Sequence, residues 1–338
     1  MKTLVCIKPG QLEYASAEMP DLSPGHAILK IKRIGICGTD LHAFEGTQPF
    51  FEYPRILGHE LSGELIAVDN APGFQIGQPV TFIPYFHCGK CVACIKGRQN
   101  ACVNLKVCGV HQDGGMVEYL SVPAAALVHN EGLDVDALAL VEPLAIGAHG
   151  VRRAGRMNGE QVLVIGAGPI GLATMEFARM AGASVIAADV NDNRLEFCRN
   201  KLKISHTINP SKEDMAQRLM TLTNGDMPGV IIDATGNLNA INNAFRYLAH
   251  GAKYILVGLQ KADVTFNHPE FHKREATLMS SRNATREDFE QVIACIRDKK
   301  IDPATYITHR VNFDQVKDEF QKWLHPGNGV IKAIVQVD

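Results

Sequence analysis

Residues 161–190 read QVLVIGAGPIGLATMEFARMAGASVIAADV. An apolar run, Val162 to Ile165, passes directly into Gly166, Gly168 and Gly171; a helix-length stretch follows, then a second apolar run, Ser184 to Ala188, closed by Asp189. A bare G-x-G-x-x-G is weak evidence. Between a buried strand and a helix, with an acid at the end of the next strand, it specifies a dinucleotide-binding βαβ unit. The glycines supply a tight turn, close approach of backbone to a pyrophosphate and close packing of helix on strand, and the helix that opens at Pro169 and Ile170 turns its N-terminus to the phosphates. Asp189 is placed to hydrogen-bond a ribose 2′-hydroxyl and to repel a 2′-phosphate, which favours NAD over NADP. Arg194 keeps NADP open, since it could neutralise a 2′-phosphate, or it could pair with Asp192 or Glu196 on its own helix.

Further along, GVIIDATG (229–236) and AKYILVGL (252–259) alternate with helical stretches, the rhythm of a doubly wound parallel sheet. Gly236 and Gly258 end their strands on the ligand side, and Thr235, Gly258 and Ser281 join the expected cofactor contacts. ATLMSS (276–281) closes the sheet as an apolar edge strand that invites pairing with another chain. The charged helix EDFEQVIACIRDKK (287–300) and the final VIKAIVQVD (330–338) are expected to return to the first part of the chain, where short alternating strands are separated by Gly/Pro turns.

The 338 residues suffice for two domains with cores of their own. An apolar fraction of 46%, 21% charged residues and a net charge of -2 exclude a disordered tail, a nucleic-acid-binding stripe and a collagen-like repeat. No apolar run approaches a membrane span, and MKTLVCIKP breaks at Lys8 and Pro9, too soon for a signal-peptide core. The expected location is cytoplasmic, with neither nucleic acid nor membrane as partner, and close cysteines in that reducing setting point to metal or catalysis before disulfides.

Nine cysteines sort into one cluster and five singletons. Cys88, Cys91, Cys94 and Cys102 stand as C-x2-C-x2-C-x7-C, a spacing that folds four thiolates onto one structural zinc and leaves no position for water. Free thiols on a loop and an iron–sulfur cluster are the alternatives. Cys37, in GICGTDLH after the strand-like AILKIKRIGI, should project from a strand end into a loop; His59 and Glu60 follow in GHE. Thiolate, imidazole and carboxylate make three ligands and leave a fourth position open, the mark of a catalytic zinc. Asp40 could accept a hydrogen bond from the second nitrogen of His59. Glu142, in the apolar LVEPLAIGAHG, is a carboxylate in need of a cation. Cys6, Cys108, Cys198 and Cys295 read as small hydrophobes.

GICGTDLH, GHE, the four-cysteine loop, VEP and GAGPIGL, in this order, closely resemble the zinc-dependent medium-chain dehydrogenases, the superfamily of alcohol and polyol dehydrogenases. The resemblance covers essentially the whole chain. It implies a GroES-like, mainly-β catalytic domain, residues 1–147 completed by 282–338, with a Rossmann NAD-binding domain, 148–281, inserted. It matches Cys37, His59 and Glu142 to the catalytic zinc ligands, with Glu60 ligating directly or exchanging with water, so that two zinc ions and NAD serve each subunit of a homodimer or homotetramer. Thr39 and His42 match a hydroxyl and imidazole relay that passes the substrate proton to solvent.

TQPFFEYPRILGHE, GVHQDGGMVEYLSVP, IDATGNLNAINNA and PEFHKREATLMSSRNATREDF are similar to a sugar-acid branch, the L-galactonate and L-gulonate 5-dehydrogenases. That likeness implies a hexonate oxidised at its C5 hydroxyl to the keto acid, D-tagaturonate or D-fructuronate. Ala43, where sorbitol dehydrogenases tend to carry an aromatic, argues against sorbitol. A hexonate carboxylate calls for a guanidinium: Arg282 is the first candidate, Lys273, His272 and Arg274 the second, and His111 and Gln112 are candidates for sugar hydroxyls. The alternatives are a neutral-polyol or L-threonine dehydrogenase of the same superfamily and, from another class, a non-catalytic zinc- and nucleotide-binding redox sensor.

Overall fold

The computed structural model describes residues 1–49 and 51–337; Phe50 and Asp338, the last residue of the expected terminal return, lie outside it. The chain divides after Pro143 and again after Asn283, not at 147 and 281. The helix Val141–Ala154 accounts for the first difference. Its opening turn sends Glu142 to Tyr85 of the first unit, whereas at Gly147 an added Cβ would lie 2.6 Å from Ala173 of the second.

In the second unit six strands run parallel in the order His206–Ile208, Ser184–Ala188, Gln161–Ile165, Val230–Asp233, Lys253–Leu256, Thr277–Ser280. Val162, Leu163, Val164, Ile231 and Ile232 are fully buried or nearly so, as expected of strands covered on both faces. The order reverses about Gln161–Ile165, so the turn at Gly166 and Gly168 opens at the topological switch point, outside the strand's carboxyl end. Gly168 caps the helix Pro169–Met180, with Pro169 in its first turn. Gly171 lets that helix approach the strand: a Cβ there would lie 1.8 Å from the Gly166 carbonyl oxygen. Thr277–Ser280 is the edge strand, with Leu278 exposed.

The first unit holds a mostly antiparallel seven-stranded sheet and a three-stranded one. His26–Gly35 is central, paired with Glu60–Val68, Tyr119–Pro123 and the last strand, Lys332–Gln336. That last strand also runs parallel to Ile307–Asn312, so the link between them must cross over. The crossover contains the helix Val316–Trp323, which buries Val316, Phe320 and Trp323 at helical spacing and turns its charged residues out. A short ladder, Tyr85–Phe86 against Lys106–Val107, closes the base of the cysteine loop.

Asp136 fastens this sheet: Arg33 Nε donates to Oδ1 at 2.6 Å, and Arg310 Nη2 lies 2.7 Å from Oδ2. Partial burial pushes the Asp136 carboxyl up, but the Arg310 and Arg33 guanidiniums outweigh it and hold it below its ordinary value. A lowered folded-state pKa stabilises above the unfolded value, near 4, and that contribution is lost as pH falls through the folded one. Asp136→Asn should therefore cost about 1 kcal/mol at pH 7. Thermal unfolding of the two proteins should show the difference shrinking below pH 4; an equal difference at every pH would refute the role.

Candidate active site

The central strand His26–Gly35 delivers Cys37 to the N-cap of a helix, Gly38–Glu45, and not to a loop. The cause is Asp40 at the third helical position, whose Oδ2 accepts the Cys37 amide at 2.9 Å and completes a capping box. Asp40 Oδ1 accepts the Gly58 amide at 3.0 Å, which fixes the backbone before His59. These two amides set the carboxylate's position. They leave it 3.8 Å from His59 Nδ1, an electrostatic contact and not the expected hydrogen bond, and Nδ1 has no hydrogen-bond partner among the described residues.

Cys37, His59 and Glu60 each present a ligand atom, all within 4.8 Å of one another. Burial pulls the His59 imidazole down, but the Cys37 thiolate and the Asp40 carboxylate outweigh it and hold it well above its ordinary value. A thiolate, an imidazole and a buried carboxylate in contact fit zinc. Glu60 is fully buried, and Gly35 makes room for it: a Cβ on Gly35 would lie 2.2 Å from Glu60 Oε2. Lys332, also buried, donates from Nζ to Glu60 Oε1 at 2.7 Å, to Oε2 at 2.6 Å and to the Ile36 carbonyl at 3.0 Å. Burial alone would favour the neutral amine, yet Glu60 and Cys37 raise its pKa and keep it charged.

Glu142 lies outside that three-residue group. It is buried, and one oxygen accepts the Tyr85 hydroxyl. Burial, against the pull of His59 and with the charge of Glu60, pushes its carboxyl up to about 7. The two carboxylates differ in one respect: Glu60 has its own cation in Lys332, whereas the neighbour bonded to Glu142 is a neutral hydroxyl.

In the cysteine loop Cys91 Sγ stands 3.5 Å from Cys94 Sγ and 3.8 Å from Cys102 Sγ, and Cys88 Sγ 3.5 Å from Cys102 Sγ. Tetrahedral zinc with Zn–S near 2.3 Å requires sulfur separations of about 3.8 Å. None of the nine cysteines is in a disulfide. The backbone amide of Cys94 is the largest influence that draws the Cys91 thiol down to about 6. Cys6, Cys108 and Cys198 are buried, as befits packing residues, and Cys295 is half-buried.

The remaining candidates are dispersed. Thr39 and His42 share the helix Gly38–Glu45 with the Cys37 cap; His42 is exposed, its Nδ1 3.2 Å from Thr47 Oγ1 and 3.3 Å from Glu45 Oε2. His111 Nδ1 accepts the Val107 amide at 3.1 Å. In the second unit Asp189 accepts the amides of Ala167 and Asn191 at 2.7 and 2.8 Å. Arg194 Nη1 lies 3.8 Å from Asp189, and Asp192, one of the two acids open to it on its own helix, pairs with Lys212. Thr235 Oγ1 donates to Asp233, Gly258 abuts Gly236, and the buried Ser281 hydroxyl has no hydrogen-bond partner among the described residues. Lys273 is held by Glu270 at 2.9 Å, and Arg274 by Glu270 and the Leu248 carbonyl. Arg282 is exposed.

Residues 23–132 match the alcohol dehydrogenase GroES-like domain, and 169–298 match the zinc-binding dehydrogenase family. Over 336 residues the chain is 44% identical to the L-galactonate-5-dehydrogenase of Escherichia coli K12, covering 99% of this chain and 98% of that protein. The chain belongs to the zinc-type alcohol dehydrogenases. It has their fold, a GroES-like domain with a parallel-sheet Rossmann domain, and it is an oxidoreductase; the redox-sensor alternative falls. Two solved structures of this family are similar throughout. One is the NADH complex of RspB, a short chain alcohol dehydrogenase of Escherichia coli CFT073, with 30% identity, a TM-score of 0.91 and 99% coverage of both chains. The other is a putative zinc-binding dehydrogenase of Sinorhizobium meliloti 1021 bound to NADP, with 27% identity, a TM-score of 0.90 and 99% and 98% coverage.

Reading the residues alone missed Lys332 and Tyr85. Lys332 left a trace, a lone charge within the apolar VIKAIVQV, which is the mark of a buried pair; Tyr85 left none. Replacing Lys332 with Met, a side chain of similar volume, should leave Glu60 as an uncompensated buried charge and cost roughly 3–5 kcal/mol. Denaturant unfolding of the variant against wild type measures it, and a loss under 1 kcal/mol would deny the pair its structural weight.

Proposed function

We propose that this dehydrogenase oxidises the C5 hydroxyl of a sugar acid, L-galactonate or L-gulonate, to the keto acid with NAD as hydride acceptor. One observation carries the substrate class: the likeness to L-galactonate-5-dehydrogenase runs over 99% of the chain at 44% identity. Cys37, His59 and Glu142 would hold the catalytic zinc, with Glu60, paired to Lys332, ligating directly or exchanging with water. Zinc there supplies Lewis acidity that makes a bound secondary alcohol acidic near neutral pH. Cys88, Cys91, Cys94 and Cys102 would hold the structural ion.

Thr39 and His42 relay the alcohol proton to solvent, with Glu45 and Thr47 beside His42 Nδ1 and Nε2 left for transfer. Gly166, Gly168, Pro169, Ile170 and Gly171 receive the pyrophosphate, with Thr235, Gly258 and Ser281 lining the cofactor site. Asp189 receives the adenosine ribose, and its charge beside the glycine loop disfavours a 2′-phosphate even with Arg194 next to it. Arg282 takes the substrate carboxylate, with Lys273 the second candidate and His111 a candidate for a sugar hydroxyl. The exposed edge strand Thr277–Ser280 is the pairing surface of a homodimer or homotetramer, and nine cysteines outside disulfides suit a cytoplasmic protein.

Metal analysis of purified enzyme should give two zinc ions per chain; a single ion would remove one of the two sites. NADH formation should be fastest on L-galactonate or L-gulonate among other hexonates, sorbitol, galactitol and L-threonine, and Arg282→Ala should lose at least tenfold in kcat/KM on the best acid. Turnover confined to uncharged polyols or L-threonine would overturn the sugar-acid reading, and an unchanged Arg282→Ala would take Arg282 out of the pocket.

A further inference from the structure

Tyr85 is a buried phenol that no part of the proposed chemistry uses. It begins the strand Tyr85–Phe86, which leads directly to Cys88, and its ladder partner is Val107, just beyond Cys102. The cysteine loop is thus closed at its base by the ladder that fixes Tyr85. The ring is held from the other side by Phe289, edge to face at 6.3 Å. Its hydroxyl donates to Glu142 Oε1, and both side chains are almost wholly buried, Tyr85 at 5% and Glu142 at 4% exposure.

A carboxylate has two oxygens and can bind an ion through one or both. With Oε1 accepting a hydrogen bond from a rigid phenol, Oε2 is the oxygen that remains to be offered to an ion. Glu60 is arranged differently, with a hydrogen bond from Lys332 on each oxygen. We propose that Tyr85 is a positioning residue for the open metal site: its hydroxyl holds Glu142 so that the carboxylate binds the ion through Oε2 alone, and the cysteine loop's ladder keeps the hydroxyl there. The proposal rests on the reading of Cys37, His59 and Glu142 as zinc ligands. Groups that orient a ligating side chain typically change metal affinity 10- to 100-fold when removed.

The test follows zinc release from the holoenzyme to a chromogenic chelator. The phase absent from Cys37→Ala belongs to the open site; if Cys37→Ala keeps both phases, the reading of that site fails, whatever Tyr85 does. Tyr85→Phe keeps the ring and its packing on Phe289, and should release the open-site ion 10- to 100-fold faster with the four-cysteine phase unchanged. A double-mutant cycle separates positioning from general loosening. In a Glu142→Ala background Tyr85→Phe should add less than a twofold change, since its acceptor is gone, whereas a purely structural role would show the same acceleration in both backgrounds. An open-site phase in Tyr85→Phe within twofold of wild type, with Cys37→Ala lacking that phase, overturns the proposal and leaves the metal-site reading intact. Equal acceleration in the two backgrounds also overturns it.

Discussion

The first unit is organised about a buried ion pair, Lys332 with Glu60, both almost completely out of solvent. Glu60 alone at that depth would be untenable as an anion. Its partner comes from the far end of the chain, on a strand that must lie beside His26–Gly35 for the amine to reach. The strand also brings Lys332 to the Ile36 carbonyl, one residue before Cys37. Compensating one charge thus ties the C-terminus, the central strand and the start of the Cys37 helix into one piece.

Around that pair sits a dense set of ionisable groups: Cys37, Asp40, His59 and Glu142. Their charges hold each other in place. Asp40 spends its oxygens on two backbone amides and so fixes the frame in which Cys37 and His59 meet. Glu142 is bonded to a phenol, whereas Glu60 is bonded to an ammonium. The closed cysteine site has no such economy of charge. Its four sulfurs lie within 4.8 Å of one another on a short loop, and the ladder at its base joins that loop to the rest of the unit.

Much of this was legible in the chain itself. The glycine run between two apolar strands, the C-x2-C-x2-C-x7-C spacing and GHE after GICGTDLH are local patterns, and local patterns survive in a linear reading. The helix Gly38–Glu45 carries a local signal too, since Asp40 three residues after Cys37 is an N-terminal capping arrangement. For Arg194 the sequence offers a 2′-phosphate or an acid on its own helix, and the parallel sheet puts it beside Asp189. Net charge was silent about the site, because a sum over the whole chain carries no information on where a few charges are placed.

The sequence by itself determined that this is a two-part zinc-type dehydrogenase, because the residues that make those sites lie within a few turns of one another or follow a strand–turn–helix order. Only the tertiary structure decided how the buried carboxylates are neutralised. Lys332 stands 272 residues from Glu60, and Tyr85 stands 57 from Glu142. No spacing rule reaches that far, because such partners are chosen by strand register and by the energy of burying charge, and both exist only once the sheet has formed.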